Sequence, residues 1–365
     1  MKTIRLLSEI SPDDSGLYGG KATALRRLQE LGLRLPATLC ISTAAYRQFV
    51  SHNGLQEKVE IELHRKKFSD MRWEEIWDAA LRIRSLFLRH ELSAELSLEL
   101  SNAVAENFGN MPVTVRSSAP EEDSGATSFA GLHESFVNIH GAGPILEHVK
   151  LVWASLWSDR ALLYRRELGL DTARSAMAVI IQEFVIGEVS GVTFSANPAD
   201  ARQGVVEAVY GLNQGLVDGT VEPDRWLIDR KKKIIKEHYS PLREKMVAAA
   251  GDGATLIDLP QDKTLQPPLN SQEAIAIYKK AKKLEDFFGQ PRDIEWTRTG
   301  TEFFFLQSRP VTARQDGDAG DKRGWYLSLH RSESSLQKLR HKIETEHFPA
   351  MASVAQELAA TDLLS

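Results

Sequence analysis

The chain has 365 residues, enough for two or three lobes with substantial cores, and its 42% hydrophobic and 26% charged composition is ordinary for a soluble globular protein. A net charge of -5 gives no support for nucleic acid as the main partner, and a single cysteine, Cys40, excludes an intrachain disulfide or a cysteine-based zinc site, which fits a reducing cytoplasm. No run of about 18 apolar residues is present to span a bilayer, so no membrane partner is expected, and the first ten residues lack an extended apolar core for export despite Lys2 and Arg5.

Along the chain, Gly19-Gly20-Lys21 comes first, ahead of a helix predicted over residues 21–31 from Ala24, Leu25, Leu28 and Leu31. Backbone amides of a glycine turn and a lysine at a helix N-terminus favour anions. The same residues also make an ordinary glycine turn with a solvated lysine. A second helical pattern covers residues 74–88. Val113 to Ser118 is a short β-branched strand ending in Arg116, Ser117 and Ser118. There Arg116 has two readings: a bidentate phosphate contact, or a surface ion pair with Glu121, Glu122 or Asp123. Residues 127–135 are small and hydroxylated around Phe129, which suits a lid over phosphates or a plain surface loop, and His133 within them is either catalytic or structural.

Residues 177–183 read as a buried strand, and residues 181–313 then alternate strands and turns around one strong helix at 271–288. Within this part, Asp293-Ile294-Glu295-Trp296 and Gln307-Ser308-Arg309-Pro310 form the arms of a predicted β-hairpin, with a polar turn over 297–301. The arms bring Glu295, Gln307 and Arg309 side by side, the latter two on one face of their strand. A carboxylate, a neutral oxygen donor and a guanidinium together suit a polyphosphate carrying Mg²⁺. The Asp, Gly, Lys and Arg-rich stretch 314–324 reads as a linker, and beyond it Leu336, Leu339 and Ile343 make an amphipathic stripe. The expected parts are therefore 1–180, 181–313, the linker 314–324 and a helical extension 325–365.

Taken as an ordered set, Gly-Gly-Lys, Val-Arg-Ser-Ser, Ala-Gly-x-His-Glu-Ser, Gln-Glu-Phe-Val, Ser-Gly-Val-x-Phe-Ser-x-Asn-Pro, Glu-Pro-Asp and Ile-Glu-Trp to Gln-Ser-Arg-Pro resembles the N-terminal ATP-binding domain of phosphoenolpyruvate synthase and pyruvate phosphate dikinase. Rifampin phosphotransferase is similar over the same part, about residues 15–313. The resemblance implies an α+β fold of the ATP-grasp type, two lobes with the nucleotide in the cleft between them. It implies that Lys21, Arg116, Gly131, Ser135, Gln182 and Arg309 contact ATP, that Lys21, Arg116 and Arg309 serve catalysis, and that Glu295 and Gln307 hold Mg²⁺. Gln182 ends the apolar strand and opens Glu183-Phe184-Val185, a hinge whose backbone is expected to meet the adenine edge.

One departure and one absence qualify the resemblance. Where the family usually shows Gly-Leu-Gly-Glu, this chain has Gly211-Leu212-Asn213-Gln214, which replaces an acid by an amide; Glu207 is either a compensating carboxylate or a structural one. None of the ten histidines lies in the context of the swivelling phosphohistidine domain of the dikinase-like enzymes, so a phosphohistidine-bearing domain or subunit is the expected partner. The chain is thus expected to be either a fragment of a longer polypeptide or a separate subunit, as in a split system resembling phenylphosphate synthase. Transfer of the ATP β-phosphoryl group to that histidine, giving AMP and phosphate, is the leading reading, with pyruvate, a phenol or an antibiotic as final acceptor. A nucleotide-sensing module without chemistry and an acyl-phosphate-forming ligase are the alternatives.

Overall fold

Val113–Ser118 forms the strand that its β-branched run predicts, and it sits inside an antiparallel sheet that organises the first half of the chain. The computed structural model describes residues 3–67, 70–120, 134–167, 169, 175–251 and 253–311. Gly131, His133, the acids Glu121, Glu122 and Asp123, the linker 314–324 and the extension 325–365 lie outside the described residues.

The first sheet holds β1 (Ile4–Leu6), β2 (Thr38–Ile41), β3 (Val113–Ser118), β4 (Ser135–Ile139) and β5 (Ala178–Glu183) in the order β1-β2-β5-β3-β4, with all neighbours antiparallel. One face carries Leu39, Ile41, Val113, Val115, Val179 and Ile181 into a core built with helices α2 (Thr43–His52), α3 (Leu55–His64), α4 (Trp73–Arg89), α5 (Ala94–Asn107), α6 (Ala142–Ser155) and α7 (Asp159–Glu167). Tyr46, Phe49, Phe87, Trp153 and Trp157 pack ring against ring there, and Trp157 Nε1 donates to the Tyr46 hydroxyl at 3.0 Å, which satisfies the polar end of a buried indole. Alternation along β3 and β5 leaves Thr114, Arg116, Ile180 and Gln182 on the opposite face, because cross-strand partners share a side. Helix α1 (Ser15–Glu30) covers part of that face.

All six residues of β5 pair with β3, so the chain leaves the first sheet after Glu183 and not at residue 180, the expected boundary. It then enters a six-stranded antiparallel sheet of order β13-β12-β6-β7-β8-β9, made of β6 (Val189–Phe194), β7 (Gln203–Tyr210), β8 (Asp224–Asp229), β9 (Ile234–Tyr239), β12 (Arg292–Thr299) and β13 (Glu302–Pro310). Short helices α8 (Gln214–Val217) and α9 (Gln261–Thr264) and the hairpin β10 (Lys245–Ala249) with β11 (Ala254–Asp258) fill the connections. Helix α10 (Ser271–Phe288) matches its periodicity because both ends are marked. Asn270 accepts from the amides of Gln272 and Glu273, Glu273 returns a bond to the Asn270 amide, and Gly289 closes the helix at φ 70°.

Helices α1 and α10 share a second core with the inner face of the six-stranded sheet, including Val206, Ala208, Trp226, Ile294, Trp296 and Phe305. Each fully buried large side chain of this kind contributes about 1.5–3 kcal/mol relative to exposure. Several contacts reach from the first sheet's side to the second, two of them at the backbone of the second sheet's connections and edge. Phe305 N donates to the Arg34 carbonyl at 2.9 Å. Asn138 of β4, at φ 61°, donates from Nδ2 to the Gly251 and Gly253 carbonyls at the β10–β11 tip, at 2.6 and 3.2 Å.

Candidate functional site

The helix expected over residues 21–31 begins at Ser15 and is broken at Gly19, whose φ of 78° and ψ of 166° belong to a region only glycine occupies comfortably. The cause is the end of β3. Ser118 Oγ donates to the Tyr18 carbonyl at 2.7 Å and accepts from the Ala22 amide at 3.2 Å, so a serine 96 residues away caps the helical run that follows the break. Lys21, in the first turn of that run, donates from Nζ to Ser117 Oγ at 3.1 Å. The Gly-Gly-Lys and Val-Arg-Ser-Ser segments are one structural unit. A methyl group at Gly19 would collide with the Ser118 backbone carbonyl and carry the unfavourable φ as well. Gly19→Ala should therefore cost about 3 kcal/mol or more in urea denaturation, whereas Gly16→Ala, with open space around its Cβ, should change stability by under about 1 kcal/mol. Equal stability of the two variants would mean that the break is relaxed without cost.

The hairpin forms with Glu295 opposite Gln307 and Asp293 opposite Arg309. Its turn is tighter than the polar run 297–301 suggests, because Thr297 is buried, exchanging a hydrogen bond with Ser190 and donating to the Val189 carbonyl, and β12 continues to Thr299. Gly300, at φ 57°, lies in the two-residue connection. The register slips by one between Glu295 and Trp296, since Trp296 faces Phe305, and this β-bulge leaves Leu306 as the extra residue. Arg116 uses it. One arm of the guanidinium donates to the Leu306 carbonyl at 3.2 Å, the other to Gln307 Oε1, and Glu295 Oε2 lies 3.6 Å away. The acids that follow β3 are thus not needed to account for Arg116, which joins the first sheet to the hairpin of the second.

Arg309, two residues beyond Gln307, donates from Nε to Asp293 Oδ2 at 2.6 Å. Burial pushes the Asp293 carboxyl above the usual carboxylate range, and the neighbouring Arg309 guanidinium opposes that push. Ser135 stands directly opposite Arg116 at the start of β4, with its side exposed. Gln182 shares the Arg116 face of the first sheet but is buried, and its Nε2 donates to Thr38 Oγ1 at 3.0 Å. At the hinge the Glu183 and Phe184 amides donate to the Ala37 and Pro112 carbonyls. Glu207 pairs with Arg225 on the adjacent strand at 2.6 Å, a cross-strand ion pair that gives it a structural partner.

The Gly211–Gln214 segment contributes a residue that periodicity and charge did not single out as a ligand. Gln214, the amide in place of an acid, is exposed, whereas Asn213 is 9% exposed and its Nδ2 lies 3.4 Å from Glu295 Oε2. For a divalent cation the hairpin offers one carboxylate, Glu295, and the amide oxygen of Gln307, which also accepts from Arg116, with no cluster of three acidic, histidine or cysteine side chains among the described residues. That donor set fits Mg²⁺ in its usual manner beside a nucleotide, where one or two protein oxygens are completed by phosphate oxygens and water.

The sequence matches the family described as pyruvate phosphate dikinase, AMP/ATP-binding domain, over residues 15–325. The chain belongs to that family. A probable phosphoenolpyruvate synthase of Methanocaldococcus jannaschii is 32% identical over 325 residues, covering 87% of this chain and 27% of the relative. A rifampicin phosphotransferase of Streptomyces sviceus is 32% identical over 309 residues, covering 84% of this chain and 35% of the relative. The chain thus spans about a quarter to a third of the length of these two relatives. This dikinase-type ATP-binding domain has no helix among its described residues that is long and apolar enough to cross a membrane.

Within the dikinase-type domain, the fold assembles Lys21, Arg116 and Ser135 at one end of β3 and β4, and Glu295, Gln307 and Arg309 on the hairpin that Arg116 touches. Ser117, Ser118 and Asn213 were missed as site-building residues. For the serines a signal existed, since two hydroxyls at a strand end beside an arginine are poorly explained by strand propensity.

Proposed function

We propose that the chain is the ATP-binding module of a dikinase-type phosphotransferase, with the two sheets acting as the lobes of an ATP-grasp fold and the nucleotide held between them. In this reading the first lobe runs to Glu183 and the second to residue 313. The observation that carries it is the meeting of Arg116 with Glu295, Gln307 and the Leu306 carbonyl, because it joins two distant family motifs into a single edge of cations and oxygen donors. Lys21, Arg116 and Arg309 are the cations for the triphosphate, Ser135 and Gly131 contact the nucleotide as the family resemblance implies, and Gln182 with the hinge borders the base. Glu295 and Gln307 hold Mg²⁺, which supplies charge neutralisation on the phosphate oxygens. The protein's own contribution is to position the chain of phosphates and to stabilise charge that develops during transfer.

The acceptor in this reading is a histidine on another domain or subunit. Its ring nitrogen attacks the β-phosphorus, AMP leaves, and the terminal phosphate is released to water. ATP labelled at the β position, incubated with this chain and a phosphohistidine-bearing partner, should leave label on the partner's histidine together with AMP. Bound ATP without AMP would favour a nucleotide-sensing module, and ADP as product would favour an acyl-phosphate-forming ligase. Acid-labile phosphohistidine on this chain alone, with AMP released at a catalytic rate, would overturn the division of labour.

A further inference from the structure

Asn213 stands at the N-cap of α8, a position where asparagine ordinarily turns its side-chain oxygen back onto the first amides of its own helix. It does not do so here, since the cap has no side-chain hydrogen bond. Its Oδ1 is buried and has no hydrogen-bond partner among the described residues, and its Nδ2 points to Glu295 Oε2 at 3.4 Å. Whichever way the amide is turned, one of its ends is left without a protein partner among the described residues and the other lies beside the Glu295 carboxylate, so this side chain is positioned by the backbone and not by its own hydrogen bonds.

The backbone around it is held firmly enough to aim the side chain. Gly211, at φ 78°, donates from N to the Glu188 carbonyl at 2.9 Å, and its own carbonyl accepts from Ser190 Oγ at 2.7 Å. Leu212 N donates to the Val247 carbonyl at 2.8 Å. The turn is thus clamped between β6 and β10, and Asn213 is delivered to the edge where Glu295 faces Gln307. A half-turn of the amide exchanges Nδ2 and Oδ1 without changing its shape. It would set an oxygen beside the Glu295 carboxylate at close to the 3 Å or so that separates adjacent oxygens around a small divalent cation.

We propose that Asn213 is a third protein oxygen donor, with Glu295 and Gln307, to the divalent cation that accompanies the nucleotide. The proposal rests on the ATP-binding reading above. It also gives the Asn213-Gln214 departure a physical sense: the acid is gone from an exposed position, and a neutral oxygen has been placed in a buried one beside Glu295.

The test is a Mn²⁺ titration followed by electron paramagnetic resonance, on the full chain with and without ATP, comparing the unsubstituted protein with Asn213→Leu, Asn213→Asp and Glu295→Gln. Metal-free ATP affinity is measured alongside by calorimetry. Asn213→Leu should weaken Mn²⁺ uptake by the ATP-loaded chain about tenfold and leave metal-free ATP affinity within about twofold. Asn213→Asp keeps the volume and should tighten Mn²⁺ uptake, which decides the matter even where the leucine variant fails to fold. Mn²⁺ uptake by the Asp variant that is unchanged or weaker overturns the proposal, as does a leucine variant that loses metal-free ATP binding to the same extent as metal uptake. If Glu295→Gln loses metal while both Asn213 variants behave as the unsubstituted chain, the role of Asn213 alone falls. If the unsubstituted chain takes up neither ATP nor Mn²⁺, the nucleotide reading falls with it.

Discussion

Glu295→Gln should lower the affinity of the chain for ATP in the presence of Mg²⁺ by roughly 100-fold and leave metal-free ATP affinity within about twofold. The substitution removes a negative charge and preserves shape. Glu295 is held in the middle of β12, between β6 and β13, so the backbone has little reason to move. Its carboxylate has Asn213 Nδ2 at 3.4 Å and the Arg116 guanidinium at 3.6 Å, both of which tolerate an amide oxygen in its place. Glu207→Gln is the matched control. It lies in the same cross-strand row, through Val192, but pairs with Arg225, and it should not change the metal dependence. Calorimetric titration with and without Mg²⁺ reads the difference. Equal weakening in both conditions would show that Glu295 serves the fold and not the metal.

Arg116→Lys and Arg309→Lys should each slow AMP formation by about 100-fold while weakening ATP binding by less than tenfold, when phosphoryl transfer is measured with a phosphohistidine-bearing partner. Lysine keeps the charge and loses the planar fork. The fork is what Arg116 uses: one arm on the Leu306 carbonyl, the other on Gln307, a geometry that a single ammonium cannot copy. Arg309 is anchored by Asp293, a buried carboxylate whose Oδ1 has no hydrogen-bond partner among the described residues, so its head is fixed at one side. Groups already oriented before the reaction cost no reorganisation as charge develops, which is why the loss belongs in the rate more than in the affinity. Full activity in both lysine variants would return the arginines to the role of structural ties between elements.

The features legible in the sequence are those whose cause is local. Val113–Ser118 opens with three β-branched residues in succession, and the helix Ser271–Phe288 carries its own cap, capping box and terminal glycine, so its ends coincide with the expected ones. The pairing of Glu295 with Gln307 followed from two arms and a glycine turn. The bulge at Leu306 did not, because it depends on how Trp296 and Phe305 fill the second core, and side-chain packing leaves no trace in period-two alternation. Position 180 was a poor boundary for the same reason: the apolar run through Ile181 marks burial, and burial does not say to which sheet a strand belongs. Asn213 was visible only as a departure from a motif. Its relation to Glu295 spans 82 residues and arises from the clamp on Gly211 and Leu212.

The cap that Ser118 places on the Ala22 amide has a temporal side. A chain made from its N-terminus has exposed Gly19-Gly20-Lys21 long before the serine exists, and until β3 arrives the break in α1 has neither its cap nor the reason for its unusual glycine conformation. Closing a loop of that length is slow beside helix formation, so the cap on the run Gly20 to Glu30 is a late acquisition despite the early place of that run in the chain. The bond from Lys21 Nζ to Ser117 Oγ likewise waits on the arrival of β3. A chain ending before Ser118 lacks the side chain that caps the Ala22 amide and holds the Tyr18 carbonyl.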